Sequence, residues 1–232
     1  MILLWLTSRA PLSMPFDLMV IANGMGGQGH GKEASELAVG YLSEYLLLTL
    51  CSERRPPEDV LSLLEAGVQY ANKGVYERNQ RQGTEMGTTM TAVLVIGAVA
   101  YVAHVGDSRL YLYRQSVGLT QITRDHSMVA ILVEQGIIAP EDIYTHPLRS
   151  RIYRSLGDQA EVEIDTSVVP LAAGDNLLLC SDGLWEMVRD SQIAGIVASR
   201  LSTPANEACA LIQAALAGGG DDNVSAVVAQ VS

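Results

Sequence analysis

Apolar residues recur along this chain with two different periods, and the change of period divides it. Over residues 33 to 50 and again over 58 to 81 the spacing is helical; in the second stretch Val60, Leu61, Leu64, Val68, Ala71 and Val75 share one face. Both stretches are expected to be helices, the first largely buried and the second entered after Pro56 and Pro57. From Met90 the runs shorten and become β-branched or aromatic: TAVLVIG, VAYVAHV and RLYLYR, separated by Gly97 and by Gly106, Asp107 and Ser108. That texture predicts an antiparallel meander. A polar segment from Thr123 to Leu156 with helical stretches follows. Then come strands in EVEIDTSVV and NLLLCSD, a helix near 190 to 200, a helix after Thr203 and a last strand in VSAVVAQV. Thr203 suits an N-cap, Pro204 the first helical position and Gly218 the helix end.

No repeat, low-complexity tract or linker interrupts this order, so the class is α+β with antiparallel sheets, in one domain over residues 1–232. A formal net charge of −11 argues against a nucleic-acid partner, and an anionic substrate would need locally placed cations. Cys51, Cys180 and Cys209 are far apart and form no CxxC pair, so neither a disulfide frame nor a zinc site is indicated and a reducing cytoplasm fits. MILLWL is short and lacks a basic leader, and YLSEYLLLTL carries Glu44, so neither a signal peptide nor a membrane span is expected.

The chemistry concentrates around MVIANGMGGQGHGKEASELAV, residues 19 to 39, a glycine-rich loop between an apolar run and a helical one. GGQGHGK, residues 26 to 32, satisfies the phosphate-binding pattern GxxxxGK, and LLLC before Asp182 could supply its acidic partner. Against that reading, Glu33 follows Lys32 where a magnesium-binding hydroxyl is needed, and closely spaced strands do not build the parallel sheet such a loop requires. The second reading is a metal loop, in which glycines let backbone carbonyls face a cation. Asp125 in TRDHS, Asp182 in SDGLWE and Asp222 in GGGDDN are candidate hard oxygen ligands for magnesium or manganese, although an Asp before Gly is also a common turn residue.

In order, NGMGG (23–27), MGTTMTA (86–92), GDSR (106–109), TRDHS (123–127), SDGLWE (181–186) and GGGDDN (218–223) resemble the metal-dependent type 2C protein phosphatases, most of all the compact bacterial members. The resemblance runs from about residue 17 to the end of the chain. It implies a four-layer α-β-β-α sandwich with a metal site at one end, and hydrolysis of phosphoserine and phosphothreonine in proteins by a metal-activated water. Two or three Mn2+ or Mg2+ ions are implied, with a phosphorylated protein substrate and a serine/threonine kinase as partners of a monomer. By position, Gly24 would give a carbonyl to the first metal, Asp182 and Asp222 would hold the second, and Asp125 with Asp182 would serve a third. Asp107 and Asn223 would be supports that orient their neighbours, and Gly87, Thr88 and Thr89 would be structural.

Two parts of the pattern depart from that family. Its loop begins with an Asp bridging two metals, where this chain has Asn23, an amide with one neutral acceptor oxygen and an NH2 that only donates. Weakened binding at the first metal follows. MILLWLTSRAPLSMP also lacks the family's phosphate-binding arginine and acidic residue in an N-terminal strand pair, so residues 1–16 are atypical or truncated; Arg9 is the one cation there. Gln28 stands where bacterial relatives often have histidine, with His30 two positions on. Arg149, Arg151 and Arg154 form a basic cluster suited either to phosphopeptide contact or to a solvated face. His104 reads as packed, His126 and His146 as surface residues or, alternatively, as bordering the cleft, and Trp185 and Met187 as the packing of a helix start. Two functions remain open at this level: a phosphatase attenuated at Asn23, and a pseudophosphatase that binds phosphoproteins or a kinase without turnover. The Asn23, Gly24 dipeptide is also prone to deamidation, which would regenerate aspartate.

Overall fold

In the strand Phe16–Ala22 (β2) successive side chains enter different cores: Leu18, Val20 and Ala22 one, Met19 and Ile21 the other. A strand buried on both faces is why FDLMVIA reads as an unbroken apolar run. The same division runs through Asn176–Cys180, where Leu177 and Leu179 face inward between two sheets while Leu178 and Cys180 face helices. The computed structural model describes residues 2–8, 15–26, 29–52, 59–199 and 203–231.

The first sheet combines Ile2–Ser8 (β1), β2, Met90–Ile96 (β5), Val99–Val105 (β6) and Asp165–Pro170 (β9), in the order β1-β2-β5-β6-β9. The second is β11-β10-β7-β8, built from Arg109–Arg114 (β7), Gly118–Gln121 (β8), Asn176–Cys180 (β10) and Ala226–Gln230 (β11). Every pairing in both is antiparallel. Gly24–Met25 (β3) and Gly87–Thr88 (β4) form a separate short pair. Helices His30–Ser52 (α1) and Val60–Gln82 (α2) cover the first sheet, with Leu42, Leu46, Leu64 and Val68 in its core. Asp182–Trp185 (α4), Asp190–Ala198 (α5) and Pro204–Ala217 (α6) cover the second, burying Trp185, Ile193, Val197 and Leu211. Met128–Glu134 (α3) and a 3-10 helix at Pro140–Tyr144 lie in the polar segment. These are the four α-β-β-α layers expected, and each fully buried Leu or Val contributes about 1.5–3 kcal/mol to holding them.

The local rules operate with instructive exceptions. Asp59 caps α2 by accepting from Ser62 N at 3.0 Å, while Pro56 and Pro57 lie outside the described residues. Thr203 caps α6 as expected, but Gly218 is right-handed at φ −76° and the positive angles fall on Gly219 and Gly220. The expected meander is corrected at one turn. β5 and β6 pair as a hairpin, but β7 belongs to the second sheet. Gly106, at φ +111°, makes that turn, and a Cβ on it would stand 2.5 Å from Thr89 Cγ2. The phosphate-loop reading fails on topology, since the sheet flanking the glycine loop is antiparallel throughout. β1 pairs with β2 along its whole length, so a strand pair is formed without the two motif residues; Arg9 lies outside the described residues.

Candidate metal centre

Asn23 follows β2 directly, and its backbone is held from both sides by Thr89. Asn23 N donates to Thr89 Oγ1 at 3.0 Å, and Thr89 N donates to the Asn23 carbonyl at 2.9 Å. Thr89 Oγ1 is itself 2.9 Å from Ser108 Oγ in the turn between the sheets. β3 then lies against the first turn of α1 so closely that a Cβ on Gly24 would stand 1.7 Å from the Gly31 carbonyl oxygen. Glycine at 24 is therefore a condition of the loop's path.

Three further turns deliver carboxylates to the same end of the sandwich. Asp182 opens α4 after β10, and its Oδ1 accepts from Gly183 N at 2.8 Å and from Asn23 Nδ2 at 2.8 Å. The segment before β11 is moored to β10 through Ser181, whose backbone N–H donates to the Ser225 carbonyl and whose hydroxyl donates to the Asn223 carbonyl. Asp222 Oδ1 accepts from Asn223 N at 2.6 Å. Asp107, in the turn after β6, has its carbonyl held by Trp185 Nε1 at 2.9 Å. Asn23, Gly24, Asp107, Asp182, Asp222 and Asn223 all line one cleft of about 350 Å³. Lys32 is the single cationic side chain in that lining, and Ser150 and Ile152 close the cleft from the polar segment.

The cleft is short of positive charge. Burial, then the nearby Asp182 and Asp125, push Asp107 well above the ordinary carboxylate range. Burial, reinforced by Asp222, pushes Asp182 up to about 6. Carboxylates raised by burial and by one another are groups that a hard divalent cation would return to the ionised form. The donor types suit such an ion: the backbone carbonyl of Gly24 and three carboxylates, all along one cleft. Asn23 is the exception, because its NH2 occupies the Asp182 oxygen that a shared cation would use. Among the described residues, no three His, Cys, Asp or Glu side chains close on one point.

Asp125, expected to serve a third metal, and Asp107, expected as a support, stand differently towards the cleft. Asp125 does not line the cleft; Arg109 donates to both its oxygens, from Nε at 3.0 and 3.1 Å and from Nη2 at 2.7 Å, and Gln121 Nε2 donates at 3.1 Å. The guanidinium fork takes up the charge that a third metal would have used. Arg109 is 3% exposed, lies 3.7 Å over the Trp185 ring and donates to Tyr111, whose hydroxyl donates to Asp190. Asp107, expected as a support, lines the cleft itself.

The basic cluster is divided. Arg149 Nε donates to Glu186 at 3.3 Å, and Arg154 pairs with Asp165 and Glu163. Arg151 is exposed and makes no ion pair among the described residues. Neither Arg149 nor Arg151 lines the cleft, although their neighbours do. His104 is packed as expected. His126 is buried rather than at the surface, accepting at Nδ1 from Gly106 N at 3.0 Å and lying 3.2 Å from Asp165. Gln28 lies outside the described residues. Lys32 and Asp107 were available to a sequence reading: one as the lysine of a GK pair, the other as the turn carboxylate of GDSR.

The sequence profile of the protein phosphatase 2C family matches residues 13–218. The serine/threonine protein phosphatase PstP of Mycobacterium tuberculosis is 40% identical over 216 residues, 92% of this chain; the chain spans 40% of that relative's length. The serine/threonine phosphatase stp of Listeria monocytogenes is 37% identical over 215 residues, covering 92% of this chain and 84% of the relative. The crystal structure of the PstP catalytic domain in complex with two manganese ions superposes with a TM-score of 0.80 at 36% identity, over 99% of each chain. No described helix is long and apolar enough to cross a membrane. The turns that gather Asn23, Asp107, Asp182 and Asp222 at one end of the sandwich thus sit in a chain that belongs to the protein phosphatase 2C family.

Proposed function

We propose that this chain hydrolyses phosphoserine and phosphothreonine in proteins with Mn2+ or Mg2+, at a rate lowered by Asn23. The observation that carries the reading is the convergence of Asp107, Asp182 and Asp222 with the Gly24 carbonyl on one cleft. Gly24, Asp107, Asp182, Asp222 and the Asn23 Oδ1 are the residues that would hold the ions. When bound, such ions lower the pKa of an attacking water and neutralise phosphoryl oxygens.

The chain's own residues do the rest. Thr89 fixes the backbone of Asn23, Gly183 N–H orients the Asp182 carboxylate, and Asn223 N–H orients that of Asp222. Lys32 brings positive charge to the mouth of an otherwise acidic cleft, where an anionic phosphoester has to enter. The later part of the polar segment, from the 3-10 helix to Asp158, forms a flap beside the cleft, and Arg151, exposed next to the lining residues Ser150 and Ile152, is its cation left for the phosphopeptide. A serine/threonine kinase that makes the substrate is the corresponding partner, and the cytoplasm the corresponding compartment.

Asn23 gives a pseudophosphatase its one supporting observation, the amide bound to Asp182. The three retained carboxylates weigh the other way, since a cleft released from catalysis has no need to keep Asp107, Asp182 and Asp222 in one lining. The deciding experiment is Mn2+-dependent phosphate release from a phosphothreonine peptide, with Asp182→Ala as the blank. Release above the blank is expected from the unaltered chain, and release at the blank level from both the unaltered chain and its Asn23→Asp variant would overturn the reading.

A further inference from the structure

A second depression, of about 450 Å³, adjoins the metal cleft and shares Met25 and Gly26 with it. It lies where three segments meet: the end of α2, the stretch from Thr84 to Gly87, and the end of the flap from Ser155 to Asp158. Its floor is pinned. Asn79 Nδ2 donates to the Met86 carbonyl at 2.7 Å and the Gly157 carbonyl at 2.9 Å, and Asn79 Oδ1 accepts from Met86 N at 3.0 Å. Thr88 and Leu156 exchange backbone hydrogen bonds at 3.2 and 2.9 Å, which fastens the flap's end to β4. A depression built this way is preformed, so a ligand does not have to order it.

Its charge is one-sided. Glu85 and Asp158 are the charged residues among those lining it; both are exposed, and neither makes an ion pair among the described residues. Of the cations on the segments behind it, Arg78 pairs with Glu33 and Arg154 with Glu163 and Asp165, while Arg81, on the last turn of α2, is outside the lining and donates through Nε to the Glu77 carbonyl.

We propose that this groove is a specificity subsite that takes a lysine or arginine side chain lying near the phosphorylated residue of the substrate. The inference rests on the phosphoprotein reading above and adds to it a substrate class, basic phosphopeptides. An extended peptide advances roughly 3.3–3.6 Å per residue, so four positions on either side of the phosphorylated residue sweep about 13–14 Å from the cleft, the range over which the groove is to be sought. A strongly acidic protein gains little from a general attraction to such peptides at physiological salt, because exposed charges beyond about 8 Å are screened. Two carboxylates in the lining beside the cleft give the preference a position.

The test is fluorescence anisotropy of labelled phosphothreonine peptides against the unaltered chain in Mn2+, moving one lysine through each of the four positions on either side of the phosphothreonine. At one or two positions lysine is expected to bind about three- to tenfold more tightly than alanine there, with glutamate weaker still. In the Glu85→Lys, Asp158→Lys double variant the preference is expected to invert in favour of glutamate, with the thermal midpoint in Mn2+ showing that the fold persists. No lysine advantage at any position, or one that survives the charge reversal, overturns the proposal. Turnover of p-nitrophenyl phosphate, which is too small to reach both sites, reports separately on the metal centre. Aryl phosphate turnover without a lysine preference sinks the groove alone, whereas a lysine preference without any turnover sinks the hydrolase reading and leaves the groove.

Discussion

Asn23 Nδ2 donates to Asp182 Oδ1 at 2.8 Å, so an amide is tied to the carboxylate that the cleft's cation would share. Asn23→Asp puts two carboxylates in that contact. In the metal-free protein this replaces a hydrogen bond with repulsion and is expected to cost about 2 kcal/mol. With Mn2+ the sign reverses. Metal affinity is expected to rise at least about tenfold, and phosphate release from a phosphothreonine peptide with it. Differential scanning fluorimetry with and without Mn2+ checks both halves: a lower metal-free midpoint and a larger metal-induced rise. A variant whose midpoint responds to Mn2+ no more than the unaltered chain would show that residue 23 does not face the ion.

The same contact governs the chemistry of the Asn23, Gly24 dipeptide. Deamidation needs Gly24 N to reach the Asn23 side-chain carbon, while Asn23 is bonded to Thr89 through its backbone N–H and carbonyl and to Asp182 through its amide. Residue 23 is expected to remain asparagine on storage of the folded protein. A peptide map of fresh and aged samples, compared with a denatured control, reads this directly; equal conversion in folded and denatured samples would contradict it.

Two glycines of neighbouring elements should behave oppositely. Gly24→Ala sets a methyl 1.7 Å from the Gly31 carbonyl oxygen and has to displace either β3 or the first turn of α1. The expected result is loss of Mn2+-dependent stabilisation together with a destabilisation of several kcal/mol. Gly40→Ala, within α1, meets nothing within 4 Å and is expected to stabilise by about 0.5–1 kcal/mol. Urea melts of the two variants give the comparison.

The Arg109, Asp125 pair is a stability element. Arg109→Met leaves a carboxylate that is 7% exposed without its fork and is expected to cost about 3–5 kcal/mol. Arg109→Lys should recover less than half of that, since a point charge cannot satisfy both oxygens while stacked on Trp185. Guanidinium melts measure both. Equal stability of the lysine variant and the parent would mean that the bidentate geometry contributes nothing.

Most of the layered fold was legible because the period of the apolar pattern changes where the elements change. β2 and β10 were readable as unbroken apolar runs, and α2 from one helical face. The sheet to which β7 belongs was not, since RLYLYR pairs equally well in either; the Gly106 turn that moves it depends on contact with Thr89, distant in sequence. The site was legible as a set of acidic residues but not as an arrangement. Asp107 and Asp125 each stand in a tight polar context, and what separates them is Arg109, whose side chain is aimed at Asp125. Sequence spacing carries no record of that direction. The acidic groove had no signal at all, because Glu85 and Asp158 are brought together only when the flap's end fastens to β4.

His104 gives a dependence on pH that is separate from the metal cleft. Its Nε2 lies 3.0 Å from the Arg124 carbonyl, which can only accept, so Nε2 carries the proton; Nδ1 is the ring's acceptor, 2.9 Å from the Thr91 hydroxyl, whose one proton is shared with the Ser108 carbonyl at 3.1 Å. The ring is 1% exposed, and burial, followed by the neighbouring His126, lowers its pKa from 6.5 to about 3. Between those two values the unfolded chain takes up a proton that the folded one refuses. Stability is therefore present in full above about pH 6.5 and falls as the pH drops towards 3, by a few kcal/mol in all. In His104→Gln the side chain can still donate to the Arg124 carbonyl but cannot titrate. That variant is expected to be less stable at pH 7, because its packing differs, and to lose less stability between pH 7 and pH 4 than the parent. Urea midpoints measured at half-unit intervals across this range provide the check. Parallel slopes for variant and parent would mean that His104 titrates alike in the folded and unfolded chains, against the burial seen here.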